Sequence, residues 1–66
     1  MATKRINHWS TITTPIRVKA IRDARGWGQS ELAEAVGAKL RAVQYWEAGK
    51  FVPIRPFQML LERLEK

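Results

Sequence analysis

The sequence predicts an all-α fold, a domain of four helices and at most five elements with a short N-terminal arm. Three observations lead there. Apolar residues recur at helical spacing in four separate stretches, Gly26, Gly37 and Gly49 separate those stretches, and Thr14-Pro15 is a helix-start signal. The expected division is an arm over residues 1–13 and a folded domain over residues 14–66.

The arm has no helical period; it holds Lys4-Arg5, the sole histidine His8, Trp9 and a β-prone run, Ser10-Thr11-Ile12-Thr13-Thr14. Three readings of it stand. It is a frayed tail, a basic arm lying on DNA, or a segment whose Ile6, Trp9 and Ile12 cover part of the domain or of a partner subunit. A single histidine is no metal site.

The first helix is expected to use Thr14 as its cap, with Pro15 at the first helical position, where the missing N–H costs nothing. It should run to Arg25 and stop at Gly26. At about 100° per residue, Val18, Ile21, Arg22 and Arg25 share one face. An arginine beside an apolar stripe needs a partner, and Glu47 shares its own helix face with the inward-pointing Val43 and Trp46. Arg22 and Glu47 are therefore expected to form a largely buried ion pair. Trp27 is expected to fill the core. Gly28 caps the next helix, whose first turn carries Ser30 and Glu31, a charge that suits the helix dipole.

The stretch from Gln29 to Lys50 organises the rest. It reads as a short helix (Gln29 to Val36), a break at Gly37-Ala38-Lys39 and a second helix (Leu40 to Ala48) closed by Gly49. Two helices joined by a three-residue turn containing glycine form a helix-turn-helix unit, whose second helix can enter a DNA major groove. With Val43 at the centre of the buried side, Trp46 and Glu47 lie near it, and Arg41, Gln44, Tyr45 and Ala48 face outward. Arg41 can donate twice to guanine, Gln44 can pair with adenine, and Tyr45 suits a phosphate or sugar edge. Lys39 breaks a local rule, because a lysine opposes the dipole at a helix N-terminus where serine or threonine would cap. An arriving phosphate would satisfy both the free N–H groups and the lysine charge; a chance surface lysine is the alternative.

These residues resemble the phage-repressor and Cro-like helix-turn-helix family, also called the xenobiotic-response-element (XRE) family. The likeness rests on Gln29, Leu32-Ala33, Val36-Gly37, Val43, the run Trp46-Glu47-Ala48-Gly49-Lys50 and Pro53, and spans Val18 to Leu64. It implies a lambda-repressor-like domain and the same Arg22–Glu47 pairing. It also implies that Gln29 reaches a phosphate from its helix N-terminus, where a solvated glutamine is the plain alternative. Leu40 falls where the family often reads a base; a thymine methyl or core packing both suit it. The loop Lys50-Phe51-Val52-Pro53 is implied to follow the DNA backbone, with Lys50 and Arg55 as phosphate contacts. A last helix begins around Ile54 to Pro56 and ends at Glu65, with Phe57, Leu60, Leu61 and Leu64 as its apolar stripe and Met59 pointing elsewhere. A fifth helix, which many relatives use to dimerise, is not expected.

Composition bounds the function. A chain of 66 residues permits one domain, and one this short buries only about 60% of its unfolded surface, so a homodimer is expected to help it. Twelve Lys and Arg against six Asp and Glu give a charge of +6 and a pI near 10.6, which favours a polyanionic partner. The absence of cysteine excludes disulfides and thiolate metal sites and suits the cytoplasm. No apolar run is long enough for a membrane span or a secretion signal. The leading expectation is a sequence-specific DNA-binding transcription regulator, a small phage- or plasmid-type repressor acting as a dimer on duplex DNA, with no cofactor, metal or small-molecule ligand. An antitoxin or protein-interaction module on the same fold is the second. An enzyme is disfavoured, because one histidine, no cysteine and six scattered acids place no nucleophile beside a base.

Overall fold

A computed structural model describes residues 9–65 of the chain. These residues form four α-helices, α1 (Thr13–Arg25), α2 (Gln29–Val36), α3 (Leu40–Glu47) and α4 (Arg55–Leu64), and no strand. Both α1 and α2 pack against α3, and α4 lies across α1 and α2. Helices α2 and α4 fall where the sequence places them to within a residue, and α3 ends one residue early, at Glu47.

The start of α1 differs from expectation. Thr14 is not the cap: it lies inside the helix, fully buried, and its Oγ1 has no hydrogen-bond partner. Ser10 takes the capping role one turn earlier. Its Oγ accepts from the N–H groups of Ile12 and Thr13, at 3.2 and 3.0 Å, while Thr13 Oγ1 accepts from the Ser10 N–H at 3.0 Å. The local reason is that Pro15 is tolerated anywhere in a first turn, so the proline did not fix the register; the two-way Ser10–Thr13 exchange did.

Trp9 belongs to the core, as the reading of the N-terminal segment as a cover for the domain has it at this residue. The core cluster is Trp9, Val18, Ile21, Leu32, Ala33, Val36, Val43, Trp46 and Leu61. Trp9 Nε1 donates to Glu62 Oε2 at 3.0 Å, and the Arg17 guanidinium stacks 3.7 Å from the ring centroid. Ile12 points to solvent. Lys4, Arg5, Ile6 and His8 lie outside the described residues.

Two further polar clamps hold α4 to α1. Arg17 donates to both carboxylate oxygens of Glu65, at 2.8 and 2.6 Å, and Arg25 donates to the Leu64 carbonyl at 2.7 Å. Of the stripe expected on α4, Leu61 is buried and Phe57 and Leu64 pack partly against the core. Leu60 departs from it and is exposed, as is Met59. Trp27 is half-buried against the same cluster, with Arg25 over its face. No helix among the described residues is long and apolar enough to cross a membrane.

Candidate nucleic-acid interface

The site is built outward from α3. Between α2 and α3 the chain turns at Gly37, whose φ of 76° is left-handed. The Ala38 N–H then bonds back to the Ala33 carbonyl at 2.8 Å, closing the α2 terminus. A side chain at Gly37 would meet no atom within 4 Å, so the demand for glycine there is conformational alone. At the far end Gly49 is also left-handed, and here a Cβ would lie 3.1 Å from the Thr11 carbonyl oxygen. The loop leaving α3 thus passes against the segment that precedes α1.

Below α3, Arg22 is the fixed point. Its Nε and Nη2 donate to the two oxygens of Glu47 at 2.5 and 2.9 Å, and its Nη1 donates to the Trp27 carbonyl at 3.1 Å. Both side chains are largely covered, at 15% and 12% exposure. The hydrogen bonds to Glu47 push the Arg22 guanidinium above its ordinary value, against the opposing effect of burial. Glu47 is the only acid on α3, and this pairing leaves no uncompensated negative charge on that helix.

Gln29 joins this network. Its Nε2 donates to Glu47 Oε1 at 3.1 Å, so the side chain is a brace between α2 and α3; the phosphate contact implied for it has no free amide donor in that arrangement beyond its second N–H. Leu40 is exposed and stands outside the core cluster, which removes the packing alternative for it.

The outward side of α3 carries Arg41 and Gln44, both exposed, with Tyr45 half-buried. Among the described residues, Lys39, Arg41 and Gln44 make no hydrogen bond or ion pair through their side chains. Lys39 is the residue before the first helical turn, in extended conformation, and α3 has neither a side-chain cap nor an acid there. The first N–H groups of α3 therefore have no side-chain acceptor, and Lys39 adds a positive charge at that end of the helix, a combination that attracts an anion.

Tyr45 is held more firmly than the sequence suggests. Its ring meets Phe51 edge-on at 5.3 Å, and Lys50 Nζ lies 5.6 Å from the ring centroid. Lys39, Arg41 and Tyr45 share one shallow depression; Arg55 lines a different one with Met59, Glu62 and Arg63. Arg55 also approaches Gln58 at 3.5 Å. The eight candidate residues thus sort into an outward group (Lys39, Leu40, Arg41, Gln44, Tyr45 and Lys50), one brace (Gln29) and one residue of another depression (Arg55).

No family model, curated protein or solved structure matches this chain.

The site therefore rests on its own geometry. Sequence reasoning missed three members of its surroundings. Phe51 supports Tyr45, Ala42 lies on the side of α3 away from Gln44, and Phe57 lines the same depression as Ala42 and Tyr45. Phe57 was legible as part of an apolar stripe, but nothing in the stripe says that its edge is left uncovered.

Proposed function

We propose that this protein is a sequence-specific DNA-binding transcription regulator of the lambda-repressor-like, XRE type, in which α2, the turn at residues 37–39 and α3 act as a helix-turn-helix and α3 reads the major groove. One observation carries the reading: α3 turns its only carboxylate into a largely covered ion pair and presents Arg41 and Gln44 outward without internal partners. Side chains that have given up no hydrogen bonds at home can make bidentate contacts to base edges at full value, each discriminating by about 1 to 3 kcal/mol. Lys39, the α3 N-terminus and Lys50 are the phosphate contacts, and Leu40 meets a thymine methyl. As a homodimer the protein would bind two half-sites about one helical turn apart and repress by occupying a promoter.

In vitro selection of duplexes from a random pool tests this directly. Selection is expected to converge on a two-fold-symmetric sequence, and the log of the association constant is expected to fall with log salt by about 0.9 per phosphate contacted. Arg41→Ala is expected to relax base preference at one position in each half-site, whereas Lys50→Ala weakens all sequences alike. Equal affinity for selected and random duplexes would reject the reading.

A further inference from the structure

Beside the outward face of α3 lies an apolar groove of about 450 Å³. Its floor is Ala38, Ala42, Phe57 and one side of the Tyr45 ring, and its rim carries Lys39 and Arg41. Neither rim cation has a carboxylate partner among the described residues. On the helix, Ala42 is about 100° from Val43 on one side and Gln44 about 100° on the other, so the groove flanks the proposed base-reading face and shares Arg41 and Tyr45 with it.

Three occupants are conceivable, and their chemistry separates them. A DNA duplex offers phosphates and polar base edges, with the thymine methyl as its apolar group, too little to cover this floor. A second copy offers seven exposed large apolar side chains, Ile12, Ile16, Leu40, Phe51, Ile54, Met59 and Leu60, but it brings them on a chain of charge +6. Cations would then meet cations at the rim, and like charges across an interface cost several kcal/mol. An amphipathic protein segment with bulky apolar side chains between carboxylates fits both floor and rim, in the helix-in-groove mode. The groove is shallow and open to solvent, which suits a segment laid along it better than a small molecule needing enclosure.

We infer that this groove docks an acidic amphipathic segment of a partner protein, and that docking displaces DNA because Arg41 and Tyr45 serve both. The inference rests on the reading of α3 as the DNA-contacting helix and adds its regulation.

The test is selection of a displayed peptide library on the full chain, followed by binding and competition measurements with the selected peptides. The peptides are expected to be rich in Asp and Glu around bulky apolar residues, to shift the amide resonances of Ala38, Ala42 and Phe57, and to compete with the selected duplex. Ala42→Leu fills the groove without changing charge; it is expected to weaken the peptide at least tenfold and DNA by less than threefold. Lys39→Glu is expected to weaken both. Selected peptides that are neutral or basic, or that bind Ala42→Leu as well as wild type, overturn the inference. So does equal loss of DNA binding in Ala42→Leu, which assigns the groove to DNA, or a wild-type dimer that Ala42→Leu dissociates, which assigns it to a second copy. Duplex binding with no peptide selected removes this inference alone; peptide binding with no specific duplex removes the proposed function and the competition with it. If Ala42→Leu fails to fold, the resonance shifts of the wild-type chain decide.

Discussion

At the scale of single residues, the Arg22–Glu47 pair braces α1 against α3. Four hydrogen bonds converge on it from α1, α2 and the Trp27 carbonyl. Glu47→Ala strands a covered guanidinium and the Gln29 amide, and losing one partner of such a pair costs about 3 kcal/mol or more. For a domain of this size 1 kcal/mol moves the midpoint by about 4 to 8 °C, so a fall on the order of 10 °C or more in thermal melting is expected. A shift of a degree would refute the bracing role. Since pairing raises the Arg22 value, its contribution is complete below the ordinary arginine range and is lost only above it. Stability is therefore expected to show no step from this guanidinium between pH 6 and 9 in a melting series, roughly the span in which arginine stays charged in either state. Thr14 is the opposite case. Its buried hydroxyl has no partner, and a buried unmade hydrogen bond costs about 1 to 3 kcal/mol, so Thr14→Val is expected to leave the denaturant midpoint unchanged or raise it. A clear loss would mean that the hydroxyl has a partner in solution.

At the scale of elements, α3 begins without the devices that stabilise a helix N-terminus. It has no N-terminal cap, no acid in its first turn and a lysine in the capping position. Lys39→Ser supplies the missing cap, worth about 1 kcal/mol, and removes a charge repelled by the helix dipole. The expected outcome is a melting temperature equal to or above wild type together with weaker binding of the selected duplex at moderate salt. Unchanged affinity would make Lys39 an ordinary surface lysine. α2 contrasts with it: Gly28 has no side chain to cap with, but Glu31 accepts the Gly28 N–H, so half of a capping box is present. α2 and α3 were legible as units because glycine, apolar spacing and length agreed. The capping of α1 was not, because Ser10 and Thr14 are chemically similar starts four residues apart and Pro15 is tolerated after either; the Ser10–Thr13 exchange chooses between them.

At the scale of the molecule, Trp9 ties the segment before α1 to the rest of the domain. Trp9 closes the core from outside the helical region, held by Glu62 through its indole and by Arg17 through its face. Truncating a large core aromatic costs about 3 to 5 kcal/mol, a large share of what so short a chain can hold. Trp9→Ala is expected to leave the protein largely unfolded at 37 °C by circular dichroism, and a chain beginning at residue 14 is expected to behave alike. Native-like melting of either would make Trp9 a passive cover. The same clamps dispose of charge: Glu47, Glu62 and Glu65 are engaged in the interior or between α1 and α4, while Lys39, Arg41 and Lys50 stay on the side of α3.

By itself the sequence determined the all-α character, the bounds of α2 and α4, the core positions Val18, Ile21, Val43, Trp46 and Leu61, and the pairing of Arg22 with Glu47. Helical period and glycine breaks act within one face or one turn, and the pairing follows because Arg22 and Glu47 each lie on an inward-facing stripe where a charge needs a partner. Only the tertiary structure decided that Trp9 is core, that Gln29 is turned toward Glu47, that Leu60 is exposed and that Ala42 and Phe57 leave a groove open. Each of these depends on which surfaces meet between helices distant in sequence, and a residue's own periodicity carries no record of whether its neighbour across the gap is present.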